Sequence, residues 1–162
     1  MAEKLWIMRH GEAGPGRPDP ERQLTPHGAQ EVARMATWLY VSERFTTGRP
    51  PLRLAASPYH RARQTASIMA ERLGIEVETL PLITPDAPIE PIIDWLQTHA
   101  MGAAWLLVSH MPLVGELTGR LVEGDIRARH GFPTAAIACL EADVWAAGCA
   151  RLTGFHTPAS IP

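Results

Sequence analysis

Short apolar segments alternate with amphipathic ones along most of the chain. Four apolar runs, at residues 4–8, 52–56, 76–80 and 105–108, have the length and composition of strands buried in a sheet. The stretches between and after these runs carry apolar residues three and four positions apart, which is the spacing of one helix face. The pattern therefore predicts repeated strand–helix units.

The predicted helices have start and stop signals. Thr25-Pro26 and Ser57-Pro58 each pair a capping hydroxyl with a proline at the first helical position. The second of these helices is expected to end at Gly74. A third helix is expected after a proline-rich loop, and a fourth after the last of the buried strands.

The last part of the chain changes the pattern from alternation to a hairpin. Residues 134–140 and 150–155 predict two further strands, joined by a turn near Gly148. Residues 156–162 are expected to form a loose tail. The predicted fold class is α/β: three α/β/α layers around a mainly parallel sheet, with an antiparallel edge, in a single domain over 1–162.

Composition and net charge exclude several classes of function. The chain has 162 residues, 46% of them hydrophobic, which suits one globular core. A formal net charge of -2 predicts no general attraction to nucleic acid or to an anionic membrane surface. Residues 1–8 hold one lysine and a short apolar run, unlike a signal peptide, so we expect a cytoplasmic location. The sequence leaves the oligomeric state open.

Polar residues follow three of the predicted strands. Arg9 and His10 come directly after the first strand. Arg61 lies shortly after the second, and His110 follows the fourth. Because ligands bind at the carboxyl ends of the strands in such sheets, we expect these side chains to meet in one crevice. Guanidinium groups pair with phosphate oxygens and a neutral imidazole can attack phosphorus, so the pattern favours phosphoryl transfer through a phosphohistidine intermediate.

The sequence around these residues resembles a known family. Residues 5–13 (LWIMRHGEA), 56–66 (ASPYHRARQTA) and 108–114 (VSHMPLV) resemble the three signature blocks of the histidine phosphatase superfamily, which implies the phosphoglycerate mutase-like fold. The short chain, residues 22–25 (RQLT) and the third block resemble most closely the SixA-type phosphohistidine phosphatases. The resemblance covers nearly the whole domain.

The resemblance implies a role for each site residue. His10 would be the nucleophile, and Arg9 and Arg61 would bind the phosphoryl oxygens. His110 would donate to the charge that develops on pentacoordinate phosphorus. Arg22 is a weaker candidate for an outer phosphate contact. The implied activity is that of a phosphatase, with a phosphorylated protein or a small phosphorylated compound as the substrate.

The leaving group is the less determined part of this hypothesis. Larger relatives carry a helical insert whose glutamate protonates a leaving alkoxide, and this chain has little room for one. Imidazole is a far weaker base and can carry its own proton, so we expect an N-linked substrate such as phosphohistidine. Asp86 and Glu90, after the third strand, are candidate general acids for an ester substrate.

Two other functions remain open on the residues alone. A phosphomonoesterase or mutase acting on a small phosphate ester would need Asp86, Glu90 or another carboxylate as its acid. A catalytically silent module would use the same arginines to recognise phosphorylated partners.

Several residues have alternative interpretations. Spacing alone barely separates Arg61 from Arg63, and the family motif favours Arg61. Ser57 and Ser109 are expected to be structural, as helix caps or turn residues. We predict no metal site and no cofactor, because compact ligand spacing is missing from the remaining histidines, which are His27, His60, His99, His130 and His156.

Overall fold

A mixed sheet of six strands runs through the computed structural model, which describes residues 2–43 and 51–162. The strands, in chain order, are β1 (Glu3–Arg9), β2 (Leu52–Ala56), β3 (Val77–Thr79), β4 (Ala104–Ser109), β5 (Ile137–Ala142) and β6 (Arg151–His156). Their order across the sheet is β3-β2-β4-β1-β5-β6. The first four strands along this order are parallel, whereas β5 and β6 pair antiparallel. The predicted antiparallel edge is therefore confirmed.

Within the described residues, four helices accompany the sheet. They are α1 (Pro26–Glu43), α2 (His60–Leu73), α3 (Glu90–His99) and α4 (Leu113–Glu123). Single 3-10 turns lie at Asp19–Glu21 and Pro81–Ile83. In this part of the chain, no helix has both the length and the apolar composition needed to cross a membrane.

The apolar core has two halves, one on each face of the sheet. Leu106 belongs to a buried cluster with Val32 of α1 and Met69 of α2. The next residue, Leu107, belongs to a second cluster that includes residues of α3 and α4 such as Leu117. Successive strand residues point to opposite faces, so the sheet lies between two helical layers. The predicted three-layer α/β/α arrangement is confirmed.

The start of α2 differs from the prediction. The helix begins at His60, not directly after Ser57-Pro58. The backbone N–H of Ser57 donates to Val108 O (3.0 Å), and its hydroxyl lies 2.7 Å from His110 Nε2. The backbone N–H of Ser57 therefore contacts β4, and its hydroxyl contacts the residue that follows β4. The hydroxyl does not cap α2.

The C-terminal part of the chain is more ordered than the sequence predicted. The strand expected at 134 begins at Ile137, because Ala135 adopts a φ of 64°, in the left-handed region that strands do not use. The expected loose tail is wrong: His156 is the last residue of β6, and Ile161 is only 8% exposed, packed into the cluster that contains α1. The driving force is burial of an apolar side chain, which offsets the cost of ordering the tail.

Candidate active site

The polar residues that follow β1, β2 and β4 meet at one end of the sheet. Arg9 is aligned with Ser109 in the β1–β4 register, and His10 N–H donates to Ser109 O (2.9 Å). The parallel strands therefore place their carboxyl ends side by side. A cavity of about 320 Å³ opens there, and it is lined by Arg9, His10, Glu12, Ala13, Arg22, Arg61, His110, Met111 and Thr134.

His10 is held in one orientation by its own loop. Its Nδ1 lies 2.7 Å from Gly11 O, and because a carbonyl only accepts, the proton of the neutral ring is on Nδ1. Nε2 is left with its lone pair. Burial, and then the charges of Arg61 and Arg9, lower the pKa of His10 to about 4 against the opposing effect of the Gly11 carbonyl. At neutral pH the ring is therefore uncharged, and its Nε2 carries a lone pair and no proton.

The loop that carries His10 is fastened to α2. Gly11 N–H donates to Thr65 Oγ1 (3.0 Å), and the same hydroxyl donates to Arg61 O (2.8 Å). A Cβ at position 11 would lie only 2.7 Å from Val32 Cγ2, so glycine is required for this close approach. The glycine after His10 thus allows the loop to pack between the two helices.

Arg61 is buried directly beside His10. Its side chain is 7% exposed, and its Nε lies 3.4 Å from His10 Nε2. Arg63 is exposed instead, so the structure places Arg61 and not Arg63 at the cavity. This geometry agrees with a guanidinium that would hold a group attached to His10 Nε2.

Arg9 reaches the cavity from the end of β1. Its Nη1 donates to Phe132 O (2.8 Å), and among the described residues its buried Nε has no hydrogen-bond partner. Burial first, and then the neighbouring charge of Arg61, lower its pKa from the ordinary value. Burying two cations side by side costs free energy unless an anion pairs with them. The pair of arginines is therefore suited to bind an oxyanion.

His110 faces His10 across the cavity, with ring centroids 5.1 Å apart. Its Nε2 lies 2.7 Å from the hydroxyl of Ser57, and its buried Nδ1 has no hydrogen-bond partner in the part of the chain that the structure describes. Burial, and then the proximity of His10, lower the pKa of His110 to about 3. His110 is therefore also neutral at physiological pH.

The rim of the cavity holds an ion pair that the sequence analysis missed. Arg22 Nη1 donates to Asp19 Oδ1 (3.0 Å), and Arg61 Nη2 donates to Asp19 Oδ2 (3.1 Å). The hydrogen bond from Arg22, and after it the one from Arg61, lower the pKa of Asp19. Arg22 lines the cavity, as its candidate role requires. Asp19 lies in a proline-rich loop without periodicity, and no sequence signal linked it to Arg61.

The two candidate acids are not brought to this cavity. Glu90 begins α3 and forms an ion pair with Arg120 (3.0 Å). Asp86 is exposed, and neither carboxylate lines the cavity. The carboxylate that lines the cavity is instead Glu12, which accepts the hydroxyl of Thr25 (2.7 Å). Asp19 is paired with Arg22 and Arg61, two arginines of the lining.

Sequence reasoning also missed how two side chains position the reactive groups. Thr65 supports the His10 loop, and its place four residues after Arg61 on α2 could have indicated a shared helix face. Ser57 supports His110, although the sequence predicted only a structural role as a helix cap or turn residue; its hydroxyl does accept the N–H of Tyr59 (3.3 Å) as a turn residue would. Together, the cavity offers three guanidinium groups and two neutral imidazoles, one of them with its tautomer set for nucleophilic attack.

Known proteins have similar sequences and the same architecture. The family model described as histidine phosphatase superfamily (branch 1) matches residues 5–84. The phosphohistidine phosphatase SixA of Escherichia coli (strain K12) is 34% identical over 145 residues, 86% of each chain, and a SixA homolog of Haemophilus influenzae is 32% identical over 72% of this chain and 76% of its own. A structure of the protein histidine phosphatase SixA with tungstate superimposes with a TM-score of 0.83 at 32% identity, covering 96% of this chain and 97% of that one.

Proposed function

This chain belongs to the histidine phosphatase superfamily, and from that premise we propose that it is a SixA-type phosphatase that removes phosphate from phosphohistidine through an intermediate on His10. The observation that carries the proposal is the contact between His10 Nδ1 and Gly11 O (2.7 Å), which leaves Nε2 unprotonated, where it accepts a long hydrogen bond from Arg61 Nε (3.4 Å). The similarity to phosphohistidine phosphatases supports the choice of substrate.

In the first step, His10 Nε2 attacks phosphorus while the bond to the leaving group breaks. Arg9 and Arg61 bind the equatorial oxygens, whose negative charge they neutralise beside the buried His10. The low pKa of His10 keeps its lone pair available down to acidic pH. The attacking nitrogen is held in place by the Gly11 carbonyl, so little reorganisation is needed.

In the second step, water hydrolyses the phosphohistidine and His10 leaves as a neutral imidazole. Ser57 Oγ accepts the backbone N–H of Tyr59 (3.3 Å), so its own proton is free to point at His110 Nε2. His110 would then carry its proton on Nδ1, the nitrogen that lacks a partner in the described residues. We assign that N–H to a phosphoryl oxygen, where it stabilises the charge that develops in both steps.

The surroundings of the site favour a nitrogen leaving group. An alkoxide needs a proton donor, and neither Asp86 nor Glu90 lines the cavity, whereas Glu12, which does line it, accepts the hydroxyl of Thr25 through Oε1. Asp19, whose pKa is lowered, is ionised at neutral pH and is not a donor. A protonated imidazole ring brings its own proton, so phosphohistidine is the substrate that these residues suit best.

We place the enzyme in the cytoplasm, acting on a phosphohistidine of another protein in a phosphotransfer signalling system. Cys139 and Cys149 are both free thiols, which suits a reducing compartment. The rim carboxylate of Asp19 is 52% exposed, so the cavity entrance is accessible to a side chain that projects from a partner's surface.

The test is a comparison of kcat/KM at neutral pH for a phosphohistidine peptide, phosphoramidate and several sugar phosphates. We expect the phosphohistidine peptide to be the best substrate. R61A should lower turnover by about 10²-fold or more, because it removes a guanidinium that stabilises the negative charge of the transition state. R63A, which changes an exposed arginine of the same helix, is the matched control. Higher kcat/KM on a sugar phosphate would contradict the proposal, and phosphate-dependent binding without turnover would identify a binding module instead.

A further inference from the structure

Asp19 is in contact with the catalytic arginine on the side away from His10. Arg61 directs Nε toward His10 Nε2 (3.4 Å), while its Nη1 and Nη2 donate to Asp19 O (2.8 Å) and Asp19 Oδ2 (3.1 Å). The nucleophile and the carboxylate are thus separated by one guanidinium group. A phosphoryl group transferred to His10 Nε2 would therefore lie next to the guanidinium that also holds Asp19.

Asp19 also lies on the solvent side of this arrangement. Its side chain is 52% exposed, whereas that of Arg61 is 7% exposed. In a displacement by His10, the leaving group departs from the opposite face of phosphorus. The exposed Asp19 carboxylate is the end of the His10–Arg61–Asp19 contact that a partner's side chain can reach from solvent.

The carboxylate has capacity for a further contact. Oδ1 accepts one N–H from Arg22 and Oδ2 one from Arg61. An ionised carboxylate has about four lone-pair sites, so each oxygen can accept another donor. The two arginines hold the group ionised and in a fixed orientation.

We propose that Asp19 accepts the N–H of the departing imidazole ring and thereby selects nitrogen-linked over oxygen-linked phosphate. This inference rests on the proposed function and adds a residue that determines its specificity. Asp19 takes no proton; it favours the ring form that already carries one on the nitrogen remote from phosphorus.

Bond making and bond breaking balance within the two rings. The lone pair of His10 Nε2 forms a new N–P bond while the P–N bond of the substrate ring breaks. The electrons of the broken bond return to that ring nitrogen, and the proton on the remote nitrogen stays where it is. A positively charged ring thus leaves as neutral imidazole; without that proton it would have to leave as imidazolate, a far stronger base.

An oxygen-linked substrate meets the same carboxylate unfavourably. Its leaving oxygen gains negative charge as the bond breaks, and an ionised Asp19 can only repel that charge. The carboxylate would therefore assist one class of substrate and hinder the other, without changing the phosphate clamp itself.

The test is D19N, assayed on a phosphohistidine peptide and on p-nitrophenyl phosphate, whose leaving group needs no acid. We expect kcat/KM for the peptide to fall about tenfold or more, the size of a lost hydrogen bond to a charged group, while the ester changes less than about twofold or improves. The decline of peptide turnover at high pH should also move to lower pH, because the bound ring loses its proton more easily.

Glu21→Gln is the matched control, since it removes one negative charge from the same 3-10 turn without a contact to Arg61. It should leave the ratio of the two activities unchanged. Equal losses on both substrates in D19N, with an unmoved pH profile, would mean that Asp19 only positions Arg61 and would overturn the inference alone. If the wild-type protein does not hydrolyse the peptide, the proposed function fails and the inference fails with it.

Discussion

The two histidines of the cavity follow neighbouring parallel strands, yet they are held in different ways. His10 points Nδ1 at the backbone carbonyl of Gly11, whereas His110 points Nε2 at the hydroxyl of Ser57. A carbonyl only accepts, so it fixes the tautomer of His10; a hydroxyl both donates and accepts, so His110 can change its proton arrangement. The difference suits the two roles that we propose: a nucleophile, which needs one lone pair at all times, and a donor, which has to respond to charge.

The largest effect expected from this comparison is that of H10A. Without Nε2 no phosphohistidine can form, so turnover should fall by about 10⁴-fold or more. Rapid quenching with labelled substrate should detect no acid-labile phosphoenzyme. Thermal unfolding of the variant serves as the control for folding. A labile phosphoenzyme in H10A would place the nucleophile on another residue.

H110A should have a smaller and different effect. Losing one donor to the developing charge typically costs about 10²–10³-fold in kcat, while the nucleophile remains intact. The same quenching experiment should therefore still show a labile phosphoenzyme, formed more slowly. If H110A abolishes the phosphoenzyme and H10A does not, the two roles are reversed.

The pH dependence of stability should reveal that His10 is kept neutral. Its pKa is about 4 in the folded protein, below the ordinary value of 6.5, mainly because of burial. Between these two pKa values, His10 binds a proton in the unfolded chain but not in the folded protein. The free energy of unfolding should therefore fall as the pH falls from about 6.5 toward 4, and level off at lower pH. The full shift corresponds to about 3 kcal/mol.

The measurement is the free energy of unfolding of wild type and H10A in urea at two pH values that bracket this window. H10A should lose less stability on acidification, by up to about 3 kcal/mol. H27A removes an exposed histidine and should follow the wild type. Identical losses in wild type and H10A would show that His10 is not held neutral by the fold.

Most of the architecture was predictable because it depends on local patterns. The buried run of β4 and the caps and glycines of the helices act within a few residues. The strand ends then brought Arg9, His10 and His110 together, since parallel strands align their carboxyl ends. The meeting of these three residues therefore follows from the strand ends, whereas the role of each came from the resemblance to the histidine phosphatases.

The finer contacts of the site were not predictable, because they join residues far apart in sequence. Asp19 meets Arg61 across 42 positions, and Ser57 meets His110 across 53. Such contacts depend on how loops pack and which rotamers fit, which no periodicity records. Spacing alone did not separate Arg61 from Arg63 either; the family motif favoured Arg61, and the structure buries Arg61 and exposes Arg63.

The smallest effect, and the most direct test of the comparison, is that of S57A. The Gly11 carbonyl cannot be removed by substitution, but the hydroxyl that holds His110 can. Without it, the imidazole loses its orientation and one hydrogen bond, worth about 1 kcal/mol, so we expect kcat to fall about tenfold with KM nearly unchanged. The labile phosphoenzyme should persist, because His10 is untouched.

Ser109 offers a matched control for this substitution. It is as buried as Ser57 and ends the neighbouring strand, but its hydroxyl donates to Ile83 O (2.7 Å) and not to an imidazole. S109A should therefore lower stability by a similar amount while kcat stays close to wild type. If S57A and S109A change kcat equally, the hydroxyl on His110 is only a packing feature. If S57A alone does so, the adjustable support of His110 is part of catalysis, in contrast to the fixed support of His10.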